Sequence, residues 1–478
     1  MESTIKFGTD GWRGIIALDF TFENVRRVAK AVAAYLYSEE RSKLRMYSFG
    51  VPFRKPEDGV VVGYDRRFLS DEFALAFSEE LVKYGIPVFL SKDPVPTPAV
   101  SYGVLYNKAA LGVMVTASHN PPKYNGIKLK PEYGGPALPE VTSLVESLLD
   151  FKMPLSSNPA SIDFVDLKGN YIEALKNKVS MINIKSLPFK VVLDVMYGSG
   201  EGLLSNILDS VGVKVEEIHA EANPYFGGLH PEPIPPNIDF LSNFVTEKGF
   251  DIGIALDGDA DRIGLVDEKG NFVNPHQVFA LIMKHLIEDR GKRGKIVWTC
   301  SLGREPEKLA KKYGIEYYIT PVGFKYVCEY ILEGGVLLGG EESGGYGFVE
   351  HIPERDGSMS ALLVLEMMSC RKKSVGELLK ELYEDFGPYY YKRLDLKLER
   401  KMSSAELKGL GDKLVVLLEE NPVKVEDIDG LKFHFSDESW LLIRPSGTEP
   451  LLRLYAQAPS LERLDFLLTK SREAVENV

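Results

Sequence analysis

Three aspartates alternate with small residues in the stretch DGDADR, residues 257–262. The apolar residues 252–256 come directly before it and predict a strand that ends at the first aspartate. Alternate side chains of a short loop converge on one side, and hard carboxylate oxygens suit Mg²⁺. We therefore expect Asp257, Asp259 and Asp261 to bind magnesium. The alternative is a solvated acidic turn, in which three unpaired carboxylates would repel one another.

A calcium-binding EF-hand is a competing interpretation of these aspartates, since Glu268 falls at the last liganding position of such a loop. The EF-hand needs glycine at its sharp turn, where this chain has Arg262. The residues on both sides of the loop are typical of strands rather than helices. We therefore exclude an EF-hand.

A serine occupies a second abrupt loop, TASHNPP, residues 116–122. The apolar residues 111–115 predict a buried strand, and the prolines forbid its continuation. Ser118 is thereby presented at the carboxyl end of a strand, where open α/β sheets bind ligands. Our interpretation is that Ser118 carries a phosphoryl group. His119 is poorly placed as a base for its neighbour because adjacent side chains point in opposite directions, and neither a GxSxG nor a P-loop motif is present.

Two further loops carry polar groups between glycines and prolines. The stretch RPSGTEP, residues 444–450, offers a guanidinium, two hydroxyls and the backbone N–H groups of a tight turn, which suit a phosphate. The stretch GGEESGG, residues 339–345, offers carboxylates and a hydroxyl, which suit the hydroxyls of a sugar. An ordinary hairpin loop and a flexible turn, respectively, are the alternatives.

The elements that must position these loops alternate between strand and helix along most of the chain. Such alternation predicts βαβ units and mainly parallel sheets, whereas the region from about residue 390 onward is typical of an α+β domain. The length of 478 residues predicts roughly three or four domains.

The composition limits which binding partners and which cellular compartment we expect for this protein. The net charge of −12 argues against nucleic acid or an anionic membrane as the main partner. Cys300, Cys328 and Cys370 are widely spaced, which predicts free thiols rather than a disulfide framework or a zinc site. The sequence shows no signal-peptide pattern and no apolar run of membrane-spanning length, so we expect a cytoplasmic protein.

Taken together, five motifs in this order resemble the α-D-phosphohexomutases, a family of phosphoglucomutase/phosphomannomutase type. They are FGTDGWRG (residues 7–14), TASHNPPKYNGIK (116–128), DGDADR (257–262), GEESGG (340–345) and RPSGTEP (444–450). The resemblance implies three related α/β domains and a C-terminal α+β domain, of the TATA-box-binding-like type, around a central cleft. We place the domains at residues 1–158, 159–272, 273–387 and 388–478.

The resemblance also implies a role for each matching residue. Ser118 is expected to be the phosphoserine and to share one Mg²⁺ per chain with the three aspartates. The cationic lining of the transfer site would be Arg13, His119, Lys128 and Arg262, with Lys128 as a proton shuttle. Substrate would be bound by Lys325, Glu341, Ser343, Arg444, Ser446, Gly447 and Thr448.

The expected reaction interconverts hexose 1-phosphate and hexose 6-phosphate through a hexose 1,6-bisphosphate, and the chain would act as a monomer or homodimer. Gly345 stands where mutases acting on both mannose and glucose often have histidine, and Glu342 and Thr116 differ from the usual phosphoglucosamine mutase residues. Glucose phosphate is therefore ranked first, mannose phosphate second and glucosamine phosphate third. A phosphatase, or a sugar-phosphate-binding protein without turnover, is the alternative from another class.

Overall fold

The computed structural model describes residues 5–8, 11–186, 188–348, 350–446 and 450–476. Within these ranges the strands form four sheets, three mixed and one antiparallel. Each sheet belongs to a successive part of the chain. This agrees with the prediction of three α/β domains followed by an α+β domain.

The first sheet has the strand order β1-β5-β4-β2-β3-β6. Strand β4 is buried at all five positions and lies inside the sheet, between its parallel partner β2 and its antiparallel partner β5. Helix α1 begins where the Thr21 hydroxyl accepts a hydrogen bond from the Asn24 N–H. The elements are β1 (Trp12–Ile15), α1 (Phe22–Tyr37), β2 (Val60–Tyr64), α2 (Ser70–Val82), β3 (Val88–Ser91), α3 (Thr97–Asn107), β4 (Leu111–Val115), β5 (Tyr124–Pro131), α4 (Pro139–Ser147) and β6 (Ile162–Val165).

The second sheet has the order β11-β10-β9-β7-β8, and the third has the order β13-β12-β14-β15. The second domain contains α5 (Leu167–Lys176), α6 (Met181–Lys185), β7 (Val191–Asp194), α7 (Leu203–Asp209), β8 (Val215–Ile218), α8 (Asp239–Lys248), β9 (Ile252–Leu256), β10 (Ile263–Val266) and β11 (Phe272–Val273). The third contains α9 (Pro275–Lys284), β12 (Lys295–Thr299), α10 (Arg304–Tyr313), β13 (Tyr317–Thr320), α11 (Phe324–Glu333), β14 (Val336–Gly340), β15 (Tyr346–Phe348), α12 (Gly357–Arg371) and α13 (Val375–Phe386).

The fourth sheet is antiparallel throughout its described strands, in the order β16-β20-β19-β18-β17. Its elements are β16 (Tyr390–Lys397), α14 (Ser404–Leu418), β17 (Lys424–Glu426), β18 (Leu431–His434), β19 (Trp440–Pro445), β20 (Leu451–Ala458) and α15 (Leu461–Glu476). This domain has its own core, which includes Phe433, Leu441 and Leu454. By contrast, one continuous core joins Val61, Ile254 and Ile296 of the first three domains.

One structural device repeats in the first three sheets. A strand with a parallel partner ends, a short loop follows, and the chain returns as an antiparallel neighbour, in the pairs β4–β5, β9–β10 and β14–β15. The loop between β4 and β5 contains Ser118 and is called the serine loop. The loop between β9 and β10 contains the three aspartates and is called the acidic loop, and the loop between β14 and β15 contains Glu341, Glu342 and Ser343 and is called the sugar loop. The sheets therefore present all three loops at the carboxyl ends of parallel strands.

The domain boundaries stay a prediction. The boundary at residues 158 and 159 lies before β6, although β6 pairs with β3 of the first sheet, and that at residues 272 and 273 lies within β11. The three cysteines are free thiols, as predicted. Among the described residues, no helix is both long and apolar enough to cross a bilayer.

Candidate functional site

Ser118 lies directly beyond β4 in an unusual backbone conformation. Its φ angle is +55°, which costs a residue other than glycine about 1–2 kcal/mol. The side chain is fully buried, and its hydroxyl donates a hydrogen bond to Asp257 Oδ2 at 3.0 Å. The strained loop thus directs the predicted phosphoryl carrier at the acidic loop of the next domain.

The three aspartates of the acidic loop are buried and form one cluster. Ligand atoms of Asp257, Asp259 and Asp261 all lie within 4.8 Å of one another. Within the described residues, Oδ1 of Asp259 and Oδ1 of Asp261 are buried and have no hydrogen-bond partner. Burial and the two neighbouring carboxylates raise the pKa of Asp257 well above its usual range. A divalent cation fits these residues, since it would engage the unpaired oxygens and offset the repulsion.

A glycine lets the acidic loop approach the serine loop. A Cβ atom on Gly258 would lie 2.6 Å from the carbonyl oxygen of Ser118. Any larger residue there would push the two backbones apart. The spacing between the serine hydroxyl and the carboxylates therefore depends on Gly258 as well as on the aspartates.

Lys128 reaches the same cluster from β5. Its Nζ atom donates to Asp259 Oδ2 at 2.8 Å and to Asp261 Oδ2 at 3.0 Å, and the Thr97 hydroxyl also donates to Asp259 Oδ2. Burial would raise the pKa of Asp259, but Lys128 and Thr97 together hold it below its usual range. The ammonium group of Lys128 therefore lies among the carboxylates rather than in solvent.

The other predicted cations surround the same loops. His119 is fully buried, and burial followed by the charges of Arg262 and Arg13 lowers its pKa well below 6.5. Arg13 Nη1 donates to Asn120 Oδ1 at 2.5 Å. Arg262 Nε lies 3.7 Å from Asp261 Oδ1. The structure thus brings Arg13, His119 and Arg262 together at the serine and acidic loops.

The sugar loop is joined to the acidic loop by Arg355. Its Nη2 donates to Asp261 Oδ2 at 2.8 Å and its Nη1 donates to Glu341 Oε2 at 3.3 Å. A Cβ atom on Gly345 would lie 2.4 Å from Arg355 Cδ, so glycine leaves room for the arginine. Ser343 Oγ is buried without a hydrogen-bond partner among the described residues.

The second glutamate of the sugar loop points towards the fourth domain. Tyr391 Oη donates to Glu342 Oε1 at 2.5 Å, and Arg393 Nη1 lies 3.8 Å from Glu342 Oε2. Arg393 Nη2 also lies 3.6 Å from Glu232 Oε1 of the second domain. Glu342 therefore contacts β16, which weakens its use in the sequence analysis as an indicator of the preferred sugar.

Arg444, the first residue of the predicted phosphate loop, lies near the contact between the third and fourth domains. Arg444 Nε donates to Asp429 Oδ2 at 2.7 Å, and the same oxygen accepts the Val322 N–H at 3.0 Å. Lys325 follows Val322 by three residues and lies on α11, with its Nζ 5.1 Å from the centre of the Tyr326 ring. The Ser446 N–H donates to the Leu451 carbonyl at 2.7 Å, while Gly447 and Thr448 lie outside the described residues.

Sequence reasoning missed several residues of this site. Arg355 lies in HIPERDG, residues 351–357, and the charged residues of this segment give a weak signal that carries no spacing rule. Asp65 and Arg67 follow the apolar strand β2, and polar residues at the carboxyl end of a buried strand are the signal that could have found them. Thr97 gives no such signal.

Comparison with known families matches almost the whole chain. Four models described as phosphoglucomutase/phosphomannomutase match it in order: alpha/beta/alpha domain I at residues 4–153, domain II at 169–270, domain III at 274–386 and the C-terminal domain at 396–473. The predicted fold class of three α/β domains and a C-terminal α+β domain is thereby confirmed.

Individual relatives carry different substrate names. The phosphoglucomutase/phosphomannomutase of Thermococcus kodakarensis is 33% identical, over 96% of this chain and 95% of its own. The phosphoglucosamine mutase of Thermoanaerobacter sp. is 32% identical, over 98% of each chain. A crystal structure from Thermus thermophilus, provisionally named a phosphomannomutase, has a TM-score of 0.85 at 35% identity and covers both chains completely.

These matches agree with the site, in which a serine, three clustered carboxylates and a cationic lining meet between domains. The chain belongs to the phosphoglucomutase/phosphomannomutase family and is an isomerase of the phosphohexomutase type.

Proposed function

We propose that this phosphohexomutase interconverts hexose 1-phosphate and hexose 6-phosphate through a phosphoserine at Ser118. The observation that carries the proposal is the hydrogen bond from the Ser118 hydroxyl to Asp257, one of three clustered carboxylates. A phosphoryl group on Ser118 would stand beside a divalent cation held by those carboxylates. This is the arrangement that phosphoryl transfer requires.

The residues around Ser118 each have a different role in one phosphoryl transfer. Phosphorylated Ser118 gives its phosphoryl group to a free hydroxyl of the sugar phosphate. As the bond to phosphorus breaks, the Lys128 ammonium gives a proton to the departing Ser118 oxygen, and Lys128 then takes up the proton of the attacking hydroxyl. One Mg²⁺ held by Asp257, Asp259 and Asp261, when bound, supplies charge that offsets the phosphoryl oxygens. Arg13 and Arg262 add positive charge, and the His119 imidazole can donate a hydrogen bond to the phosphoryl group.

A second phosphate site is needed because the intermediate is a hexose 1,6-bisphosphate. This molecule must turn over so that its other phosphate faces Ser118 and returns there. We assign the non-reacting phosphate to Arg444, Ser446, Gly447, Thr448 and Lys325. We assign the sugar hydroxyls to Glu341 and Ser343, and the Ser343 hydroxyl has no hydrogen-bond partner in the part of the chain that the structure describes.

For the sugar, we propose glucose phosphate first and mannose phosphate second. The alternative is glucosamine phosphate, which the 32% identity to a named phosphoglucosamine mutase favours. Comparing kcat/KM for glucose, mannose and glucosamine 1-phosphates ranks them directly. The proposed partners are thus small sugar phosphates, with neither nucleic acid nor membrane as partner, for a monomeric or homodimeric enzyme in the cytoplasm.

The test of the carrier role is Ser118→Ala, assayed with hexose 1-phosphate, Mg²⁺ and a trace of hexose 1,6-bisphosphate. We expect isomerisation to disappear, and intact-mass measurement should show one phosphoryl group on the wild type and none on the variant. Ser78→Ala is the matched control, because Ser78 is also buried but its hydroxyl donates to the Ala74 carbonyl within α2. Turnover by the Ser118 variant near the wild-type rate would refute the mechanism, and release of inorganic phosphate instead of isomerised sugar would identify a phosphatase.

A further inference from the structure

A buried arginine, Arg67, binds the backbone of the serine loop. Arg67 follows β2 and is only 3% exposed. Its Nη2 donates to the carbonyls of Ser118 and Asn120, both at 2.6 Å, and its Nη1 donates to those of Pro121 and Tyr124, both at 3.0 Å. Its Nε donates to Asp65 Oδ2 at 3.1 Å. Every N–H group of this guanidinium therefore has an acceptor.

Asp65 holds the arginine and the strand end that leads to Ser118. Its Oδ1 accepts the Arg67 backbone N–H at 3.0 Å and the Ser70 hydroxyl at 2.7 Å. Its Oδ2 accepts the Thr116 hydroxyl at 2.6 Å, and Thr116 Oγ1 in turn accepts the Ser118 N–H at 2.8 Å. Asp65 thus reaches Ser118 along two routes, one through Thr116 and one through Arg67.

The two routes end on the two peptide groups of Ser118. The Ser118 N–H is bound by Thr116 and its carbonyl is bound by Arg67, while φ at Ser118 is +55°. A left-handed conformation at a residue other than glycine persists where neighbouring groups over-determine it. Thr116 and Arg67 are such groups, and neither of these hydrogen bonds uses the hydroxyl that must carry the phosphoryl group.

We propose that Asp65 and Arg67 are positioning residues that hold the Ser118 hydroxyl in line for phosphoryl transfer. The proposal rests on the proposed carrier role of Ser118. A carrier must present the same geometry when it is neutral and when it bears a phosphate dianion. Arg67 supports this by binding three carbonyls of the serine loop and that of Tyr124, the first residue of β5. Its guanidinium carbon also lies 4.9 Å from the centre of the Phe226 ring of the second domain.

The planar fork of arginine is needed for this role. Lysine has one nitrogen with three donors and cannot reach carbonyls on both sides of the loop. In Arg67→Lys the positive charge therefore remains, while most of the hydrogen bonds to the four carbonyls are lost. Arg41→Lys is the matched control, because Arg41 is fully buried, donates to the Leu36 and Ala110 carbonyls and pairs with Glu132.

The first experiment measures kcat and KM for hexose 1-phosphate with saturating Mg²⁺ and bisphosphate. For Arg67→Lys we expect kcat to fall about 100-fold, as for a reacting group displaced by about 1 Å, while KM changes less than about threefold. Thr116→Val, which removes only one of the two routes, should lower kcat by about tenfold. The Arg41→Lys control should keep both parameters. A kcat of Arg67→Lys within threefold of wild type would overturn the proposal.

The second experiment is amide hydrogen exchange of the full-length wild type and the same variants. We expect residues 118–124 to exchange at least about tenfold faster in Arg67→Lys, with the exchange of β2 and β4 unchanged. A local positioning role would be refuted if exchange became faster throughout the first domain, or if the exchange rate of residues 118–124 did not change. If instead the wild type accepts no phosphoryl group from hexose 1,6-bisphosphate, the proposed function fails, and the exchange measurement still decides whether Arg67 holds the loop.

Discussion

The substitution Glu342→Gln tests whether the second glutamate of the sugar loop distinguishes sugars or holds the fourth domain. Glu342 as a whole residue is 9% exposed, and its carboxylate accepts a hydrogen bond from Tyr391 at 2.5 Å. Burial and the charge of Glu342 raise the pKa of Tyr391 well above 10, so the tyrosine remains the donor at any pH of interest. The substitution keeps the shape of the side chain and an acceptor oxygen but removes the charge.

The size of the effect follows from these contacts. A hydrogen bond to a charged group contributes about 1.5–3 kcal/mol and a neutral one about 1 kcal/mol, so the exchange costs about 1 kcal/mol. Losing the 3.8 Å ion pair with Arg393 adds at most about 1 kcal/mol, because Arg393 keeps Glu232 and Asp395 as partners. A total near 1.4 kcal/mol corresponds to about a tenfold change in an equilibrium constant.

The assay is kcat/KM for glucose, mannose and glucosamine 1-phosphates on the same preparation. Because the lost contacts lie on β16 and not on the sugar, we expect all three values to fall together by up to about tenfold. Tyr391→Phe removes the same hydrogen bond from the other side and should reproduce the effect. If Glu342→Gln instead shifts the ratio of glucosamine to glucose phosphate more than tenfold while Tyr391→Phe leaves it unchanged, our assignment of Glu342 to the domain contact is wrong.

Three further predictions follow from single contacts. Replacing Asp261 by Asn should weaken Mg²⁺ binding at least about tenfold, so that added Mg²⁺ no longer raises Tm as it does for the wild type; an equal rise would argue against the metal site. Gly345→Ala places a Cβ atom 2.4 Å from Arg355 Cδ, so it should lower the free energy of unfolding by about 1–3 kcal/mol and also lower activity. Unchanged activity and an unchanged Tm would show instead that Arg355 can move away. Burial raises the pKa of Glu305 from 4.5 to about 7, so the stability it contributes is present at low pH and is lost as pH rises from 4.5 to 7. Relative to wild type, Glu305→Gln should therefore gain up to about 3 kcal/mol between pH 5 and pH 8, and parallel stability–pH curves would contradict this.

Much of the fold could be predicted because its signals are local. Continuous apolar runs such as Leu111–Val115 are typical of strands buried on both faces, and prolines or glycines after them predict the loops. The acidic loop is also a local pattern, since three carboxylates at alternate positions of one turn must lie close together whatever surrounds them. Ser118 could be found for the same reason, from the abrupt end of its strand.

The residues that sequence reasoning missed act across long separations. Arg67 binds Ser118, which lies 51 residues later, and Arg355 binds Asp261, which lies 94 residues earlier. Neither pair has a spacing rule, because the contact depends on which strands are neighbours and on the register between them. A charged residue after a strand indicates a site in general but does not identify its partner.

By itself, the sequence determined that a serine, three carboxylates and a glycine-rich loop stand at the ends of buried strands, since local composition decides where strands stop. Only the tertiary structure decided which charges meet. It placed Lys128 among the aspartates, gave Ser118 a left-handed backbone held by Thr116 and Arg67, and directed Glu342 towards the fourth domain. The physical reason is that the direction of a side chain depends on packing between distant segments, which no short stretch of sequence contains.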